Sequence, residues 1–185
     1  MDIEQGPQRG RHGQRKDRVD GGTEGGDAAA GVSWAGFAAA RPELARTVEE
    51  RFGRFTHHTL ATLRRDGSPR TSGIEVTFRR GQLWLGMMPG SLKGRDLLRD
   101  PRFALQANNG PGQEMGGGDV RISGRAVRVG DPAALRAFVE DVKPPEPFEL
   151  YRAELTEVVR TWVEDPEIVL DAWTPDRPLR LFRRR

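Results

Sequence analysis

The chain contains no cysteine in its 185 residues. Disulfides, thiolate metal sites and cysteine nucleophiles are therefore excluded together, and the absence fits a reducing compartment. Histidine is scarce as well. There are three, His57 and His58 are adjacent, and no spacing among them resembles a zinc site, so no metal is expected. No apolar run approaches the roughly 20 residues of a membrane span. The opening "MDIEQGPQRG" lacks the apolar stretch of a secretory leader. The expectation is a soluble, cytoplasmic protein with no membrane partner. The usual phosphate cradles are missing too: there is neither a Walker loop nor a G-x-G-x-x-G run. No G-x-S-x-G elbow occurs either. Aromatics make up 7% of the chain and do not interleave with Lys and Arg on one strand, so nucleic acid is not an expected partner. The net charge is only +3, and a pI near 9.9 mostly reflects arginine outnumbering lysine.

What is present divides into a tail and one domain. Residues 1–31 are rich in Gly, Arg, Asp, Gln and Glu, and large apolar residues are too sparse for a core. Such a segment cannot offset its ordering entropy by burial, so a disordered tail is expected there and a folded domain over 32–185. Ser33 can cap a short helix over "WAGFAAA". A second helix starts near Pro42, with Leu44, Val48, Phe52 and Phe55 on one apolar face. The period then changes. "HHTLATLRR", "PRTSGIEVTF" and "QLWLGMM" read as strands separated by turns at Asp66-Gly67 and Arg80-Gly81, which predicts a three-stranded meander. "RFALQAN" is a fourth strand, and "NNGPGQEMGGG" a flexible loop. "DVRISGRAVRVG" is a strand whose interior Gly124 predicts a bulge or a barrel bend. "DPAALRAFVEDV" is a helix capped by Asp131, and Pro144, Pro145 and Pro147 break the chain after it. "FELYRAEL", "EVVRTWVE" and "EIVLDAW" supply the last strands. The fold class read from this order is mainly β with a few helices (α+β), a six- to seven-stranded antiparallel barrel or closed sheet.

The stretch "MMPGSLKGRDLLRDPR" poses a physical problem. Ser91 is a sound N-cap, yet Lys93 and Arg95 then fall in the first helical turn, where the dipole disfavours cations. A helix start with free N–H groups is also an anion site, and a phosphate there would offset the mismatch. The alternative is two cations that simply extend into water at about 0.3–1 kcal/mol each.

The order Asp66-Gly67-Ser68-Pro69, a strand, then Ser91-Leu92-Lys93 through Leu97 to Asp100-Pro101-Arg102 resembles the pyridoxamine 5'-phosphate oxidase-like family of flavin-binding split barrels. "DVRISGRAV" looks like that family's next strand, and "LDAWTPDRPLRLFRRR" is similar to the closing segments of some members. The resemblance implies a split β-barrel that binds FMN between the subunits of a homodimer. It implies redox chemistry on a small-molecule substrate, and it assigns no catalytic acid or base. It places the flavin phosphate at Ser91 and Lys93, and the ring edge along Ser72, Gly73, Ile74 and Glu75. Met87 and Met88 meet the ring at the end of the third strand, and Trp173 covers the cofactor or a dimer contact. Leu92 stands where the family often carries Arg, with Arg70 or Arg95 as the candidates to replace that contact. The alternatives left open are a reductase using a deazaflavin coenzyme, and a flavin- or haem-binding protein without turnover.

Overall fold

The structure is a computed structural model and describes residues 30–110 and 118–185. Two helices come first. Helix α1 (Trp34–Ala40) is capped by Ser33, whose hydroxyl accepts from the Gly36 N–H at 3.1 Å. Helix α2 (Pro42–Gly53) has Pro at its first turn and buries Leu44, Val48 and Phe52. It ends at Gly53, so Phe55 does not share that face and is 39% exposed. The expected tail lies outside the described residues except for its last two. Val32 exchanges two backbone hydrogen bonds with Leu155 and so joins the chain to the barrel wall.

Nine strands follow among the described residues, all paired antiparallel. Strands β1 (His58–Leu63) and β2 (Pro69–Ile74) form the hairpin predicted at Asp66-Gly67. Strands β3 (Val76–Arg79) and β4 (Gln82–Met87) form the second, across Arg80-Gly81. Both turn residues have positive φ, 52° and 71°, as the hairpin turn that matches strand twist requires. The predicted middle strand pairs with both of its neighbours, but through separate halves, β2 with β1 and β3 with β4, so the meander is broken at Glu75. The path runs β2-β1-β5-β6-β7-β4-β3, with β5 (Arg102–Gln106), β6 (Asp119–Arg128) and β7 (Glu149–Glu164) between the hairpins. Its two edges, β2 and β3, are consecutive in the chain with Glu75 alone between them. The sheet therefore curls until one bent segment supplies both of its edges, which is how the barrel is split.

The strand count exceeds six or seven for two reasons. "PRTSGIEVTF" is two strands, and "RLFRR" pairs as β9 (Arg180–Arg184) on β8 (Glu167–Trp173). In the other direction, "FELYRAEL" and "EVVRTWVE" are one continuous strand, β7. Its first half lies between β4 and β6, and its second half between β6 and β8. The predicted bulge is present: the β6–β7 register shifts between Ser123 and Gly124. A Cβ on Gly124 would sit 2.2 Å from the Glu154 carbonyl oxygen, so only glycine fits there. Leu60, Leu83, Leu85, Leu105, Ile122 and Val158 fill the barrel, and helices α1 and α2 add Phe37 and Val48 to the same core. Helix α3 (Leu92–Arg99) and helix α4 (Pro132–Val142) complete the fold.

Candidate functional site

Helix α3 packs against the β1–β2 hairpin through one buried carboxylate. Asp96 is 4% exposed and accepts from the Thr62 hydroxyl (3.0 Å), Arg70 Nε (2.7 Å) and the Arg99 guanidinium (3.1 Å). Burial alone would raise its pKa. The hydrogen bonds from Arg70, Arg99 and Thr62 outweigh that and hold the carboxyl below its ordinary value. This anchor aims the start of α3 at the end of β2.

There Lys93 donates to the carbonyl oxygen of Gly73. No carboxylate among the described residues pairs with it. Burial lowers its pKa, because the ammonium has lost water without gaining an opposite charge. Ser91 caps the helix, accepting from the Gly94 N–H at 3.3 Å. Leu92 is 53% exposed. Arg95 folds back to donate to the Gly90 carbonyl at 3.0 Å, and Arg70 is committed to Asp96.

Lys93 opens on a cleft of about 530 Å³, inside the range of small-molecule sites. Gly73, Ile74 and Glu75 line one side, and Gly86, Met87 and Met88 the floor. The structure thus brings together six of the nine residues expected from the sequence. Ser72 does not line the cleft. Its register partner is the buried Leu60, and its hydroxyl is buried without a hydrogen-bond partner. Ser91 serves the helix end beside the cleft. Trp173 is 4% exposed and packs on Phe37 at 4.7 Å between ring centres, in the core away from the cleft.

The far wall is absent from the sequence-based expectation. It consists of Phe138 and Val142 of α4, Lys143, Pro144, Pro145 and Pro147, and then Phe148. Lys143 takes a left-handed conformation (φ 50°) and ends α4 by donating its N–H to the Val139 carbonyl. The prolines read as a chain break in the sequence. The pairing of β6 with β7 brings the helix between them back to the same end of the sheet, and that pairing is visible only in the structure. His57 also lines the cleft, its Nδ1 3.5 Å from a Glu75 carboxylate oxygen, both side chains well exposed. Among the described residues, no group of three His, Asp or Glu is placed to hold a metal ion.

The donor set suits a flat, mainly apolar ring with an anionic tail. A Cβ at Gly73 or at Gly86 would meet nothing within 4 Å, so the backbone offers open, level surface on two sides. Proline, methionine and phenylalanine side chains supply apolar walls, and Lys93 supplies one desolvated cation. FMN fits that description: Lys143 is on the far wall, and at the α3 start a single lysine stands where two basic residues are usual in the resemblance noted above.

The family model for pyridoxamine 5'-phosphate oxidase matches residues 44–162, well over half of the chain. No curated protein sequence matches. Among solved structures, a pyridoxamine 5'-phosphate oxidase-related, FMN binding protein from Nostoc punctiforme is 14% identical with a TM-score of 0.55. That match covers 78% of this chain and 96% of the other. PhzG from Burkholderia lata, solved with tetrahydrophenazine-1-carboxylic acid, is 17% identical with a TM-score of 0.55, covering 81% and 92%. A heme binding protein from Mycobacterium smegmatis is 22% identical with a TM-score of 0.50, covering 69% of this chain. The chain spans 57% of that protein's length, and 57% of a protein of unknown function from Agrobacterium tumefaciens. At these identities the neighbours share the fold, a mostly antiparallel, unclosed sheet. By its sequence match and its split barrel, the chain belongs to the pyridoxamine 5'-phosphate oxidase family.

Proposed function

We propose that the cleft holds FMN and that the protein is a cytoplasmic, homodimeric flavin-dependent oxidoreductase acting on a small molecule. The observation that carries this reading is Lys93: a partly buried cation at a helix start, facing the cleft, that donates to a backbone carbonyl and pairs with no carboxylate among the described residues. Lys93 and the α3 start hold the phosphate, with Ser91 fixing the helix end. Gly73, Ile74 and Glu75 border the ring on one side, and Met87 and Met88 on the other. When bound, the flavin supplies hydride or electron-pair transfer at its N5 position. The chain's own part is to bind, orient and shield. The apolar wall from Phe138 to Phe148 limits water, and Asp96 holds α3 in register with β2. The exposed Met88 and Leu92 at the rim support a second subunit completing the site.

A deazaflavin coenzyme is the second reading, and Leu92 favours it. An apolar residue at the helix start removes one phosphate contact and with it part of the preference for FMN.

Titration of the purified protein with FMN and with the deazaflavin coenzyme, followed by flavin fluorescence, tests both readings. FMN is expected to saturate one site per chain, and Lys93→Ala to weaken it by about tenfold or more, the worth of a charged hydrogen bond. Failure of the wild type to bind either compound sinks both readings. Unchanged FMN affinity in Lys93→Ala would refute the phosphate assignment alone. Sedimentation of the loaded protein checks the dimer.

A further inference from the structure

Strand β9 stands apart from the cleft and from the family-matched segment, which ends at residue 162. It pairs with β8 only, so one edge of the sheet carries N–H and C=O groups without a strand partner among the described residues. All five of its residues are exposed, and none is proline. Five of the nine residues 177–185 are arginine. Their partners divide by sheet face. Arg183 points to the acidic β7–β8 turn, donating to Glu164 (2.7 Å) and Glu167 (3.1 Å), and Arg185 lies 3.5 Å from Glu167. Arg180 and Arg184 alternate with Arg183 on the other face, and neither pairs with a carboxylate of the described residues. Phe182 lies between them, 41% exposed, with the Arg180 guanidinium 5.6 Å from its ring centre, so on this one strand an aromatic does alternate with arginines, against the expectation from the sequence. Ile168, opposite Arg184, and Val163, opposite Ile168, extend the apolar row at 47% and 53% exposure.

Two occupants could cover such an edge by strand addition. A second copy is disfavoured by charge. The antiparallel register that pairs the whole strand sets Arg180 against Arg184 of the other copy, and like charges directly opposite are destabilising. An extended segment with acidic residues at both ends of an apolar one has the complementary pattern. We propose that the β9 edge is a docking strand for an extended acidic segment of a partner protein. The partner's carboxylates face Arg180 and Arg184, and its apolar residue faces Phe182. Main-chain hydrogen bonds to β9 supply the remaining contact. The proposal is independent of what occupies the cleft.

The probe is a fluorescent peptide Glu-Thr-Val-Thr-Glu flanked by threonines, followed by anisotropy against the full chain. Its comparators are the Lys-for-Glu peptide, a backbone N-methylated version and polyglutamate. The acidic peptide is expected to bind, with the Lys peptide and the N-methylated peptide each at least about tenfold weaker. Arg180→Gln with Arg184→Gln should produce a similar loss, and R180E with R184E a larger one, while FMN titration stays unchanged. Circular dichroism confirms that the variants fold. Equal binding of polyglutamate or of the N-methylated peptide overturns the proposal in favour of unspecific charge attraction. No binding to the wild type overturns it as well, and self-association lost in the double variant would assign the edge to a second copy.

Discussion

Asp96 and Lys93 stand three positions apart on α3, and the fold treats their charges in opposite ways. Asp96 is buried with three donors around it, two of them guanidinium groups. Lys93 is partly buried too, yet among the described residues it meets a carbonyl oxygen and an open cleft and no carboxylate. A buried charge that is fully partnered holds structure. A desolvated charge left without an opposite partner costs stability, and it keeps its strength for a ligand. On the proposed reading, the first end of α3 receives a ligand and the second stays in place.

The largest expected effect breaks the structural side of this pair. Asp96→Ala strands Arg70 and the Thr62 hydroxyl and should destabilise the protein by about 3–5 kcal/mol in urea unfolding. Lys93→Ala removes a cation that is not ion-paired and should change stability by less than about 1 kcal/mol. If the two substitutions cost the same, the division of α3 into a holding end and a receiving end is wrong.

The next effect contrasts two glycines. Gly124→Ala forces a Cβ to within 2.2 Å of the Glu154 carbonyl at the bulge, where backbone must move. Overpacking of that kind should cost about 1–3 kcal/mol, read as a lowered unfolding midpoint. Gly73→Ala meets open space instead. Its stability should be nearly unchanged, while FMN affinity falls because the new methyl projects where the ring would lie. A Gly73→Ala protein that binds FMN as well as the wild type would remove the β2 edge from the site.

A smaller effect sharpens the receiving end. Leu92 is half exposed at the start of α3, beside Lys93, while Arg95 of the same turn folds back onto the Gly90 carbonyl. Leu92→Arg should raise FMN affinity by about tenfold through one added charged hydrogen bond, and leave riboflavin, which lacks the phosphate, unchanged. An equal gain for both ligands would place the phosphate elsewhere.

Local features of this fold were legible in the sequence, and long-range ones were not. Ser33, Ser91 and Asp131 cap their helices as read, because capping needs only the next two or three N–H groups. The turns at Asp66-Gly67 and Arg80-Gly81 and the bulge at Gly124 are equally local. The split of "PRTSGIEVTF" at Glu75 is different. It follows from which strands flank each half, and no period in that stretch marks it. Strand β9 is missing from the strands read in the sequence for the same reason, since only its register with β8 makes it a strand. In the site, Gly73, Met87 and Lys93 were reachable through the motif order. Arg70 was not separable from a ligand contact until Asp96 appeared beside it. The wall at Lys143 was hidden because prolines after a helix signal a stop, and they do not say what the stopped chain lies against.

The smallest effect concerns a third buried charge carrier, His58, which is 4% exposed. Its Nδ1 accepts from the Asn108 N–H at 3.2 Å, and Phe52 packs on its ring at 4.7 Å. Burial, with His57 adding repulsion, holds its pKa below the ordinary histidine value. The folded state therefore keeps His58 neutral while the unfolded chain takes up a proton. Stability is full above the unfolded value of about 6.5 and falls as pH drops below it. Asp96 erodes stability in the same direction, but its window opens only as pH falls through the carboxylate range near 4. Between those ranges the half-buried Asp171, its pKa raised by burial, acts in the opposite direction, so thermal unfolding reads His58 from the difference between the wild type and His58→Gln. The wild type should melt lower there than at neutral pH, and His58→Gln should lose most of that difference. If the variant keeps the full pH dependence, another group carries it, and His58 is an ordinary core residue with no bearing on acid stability.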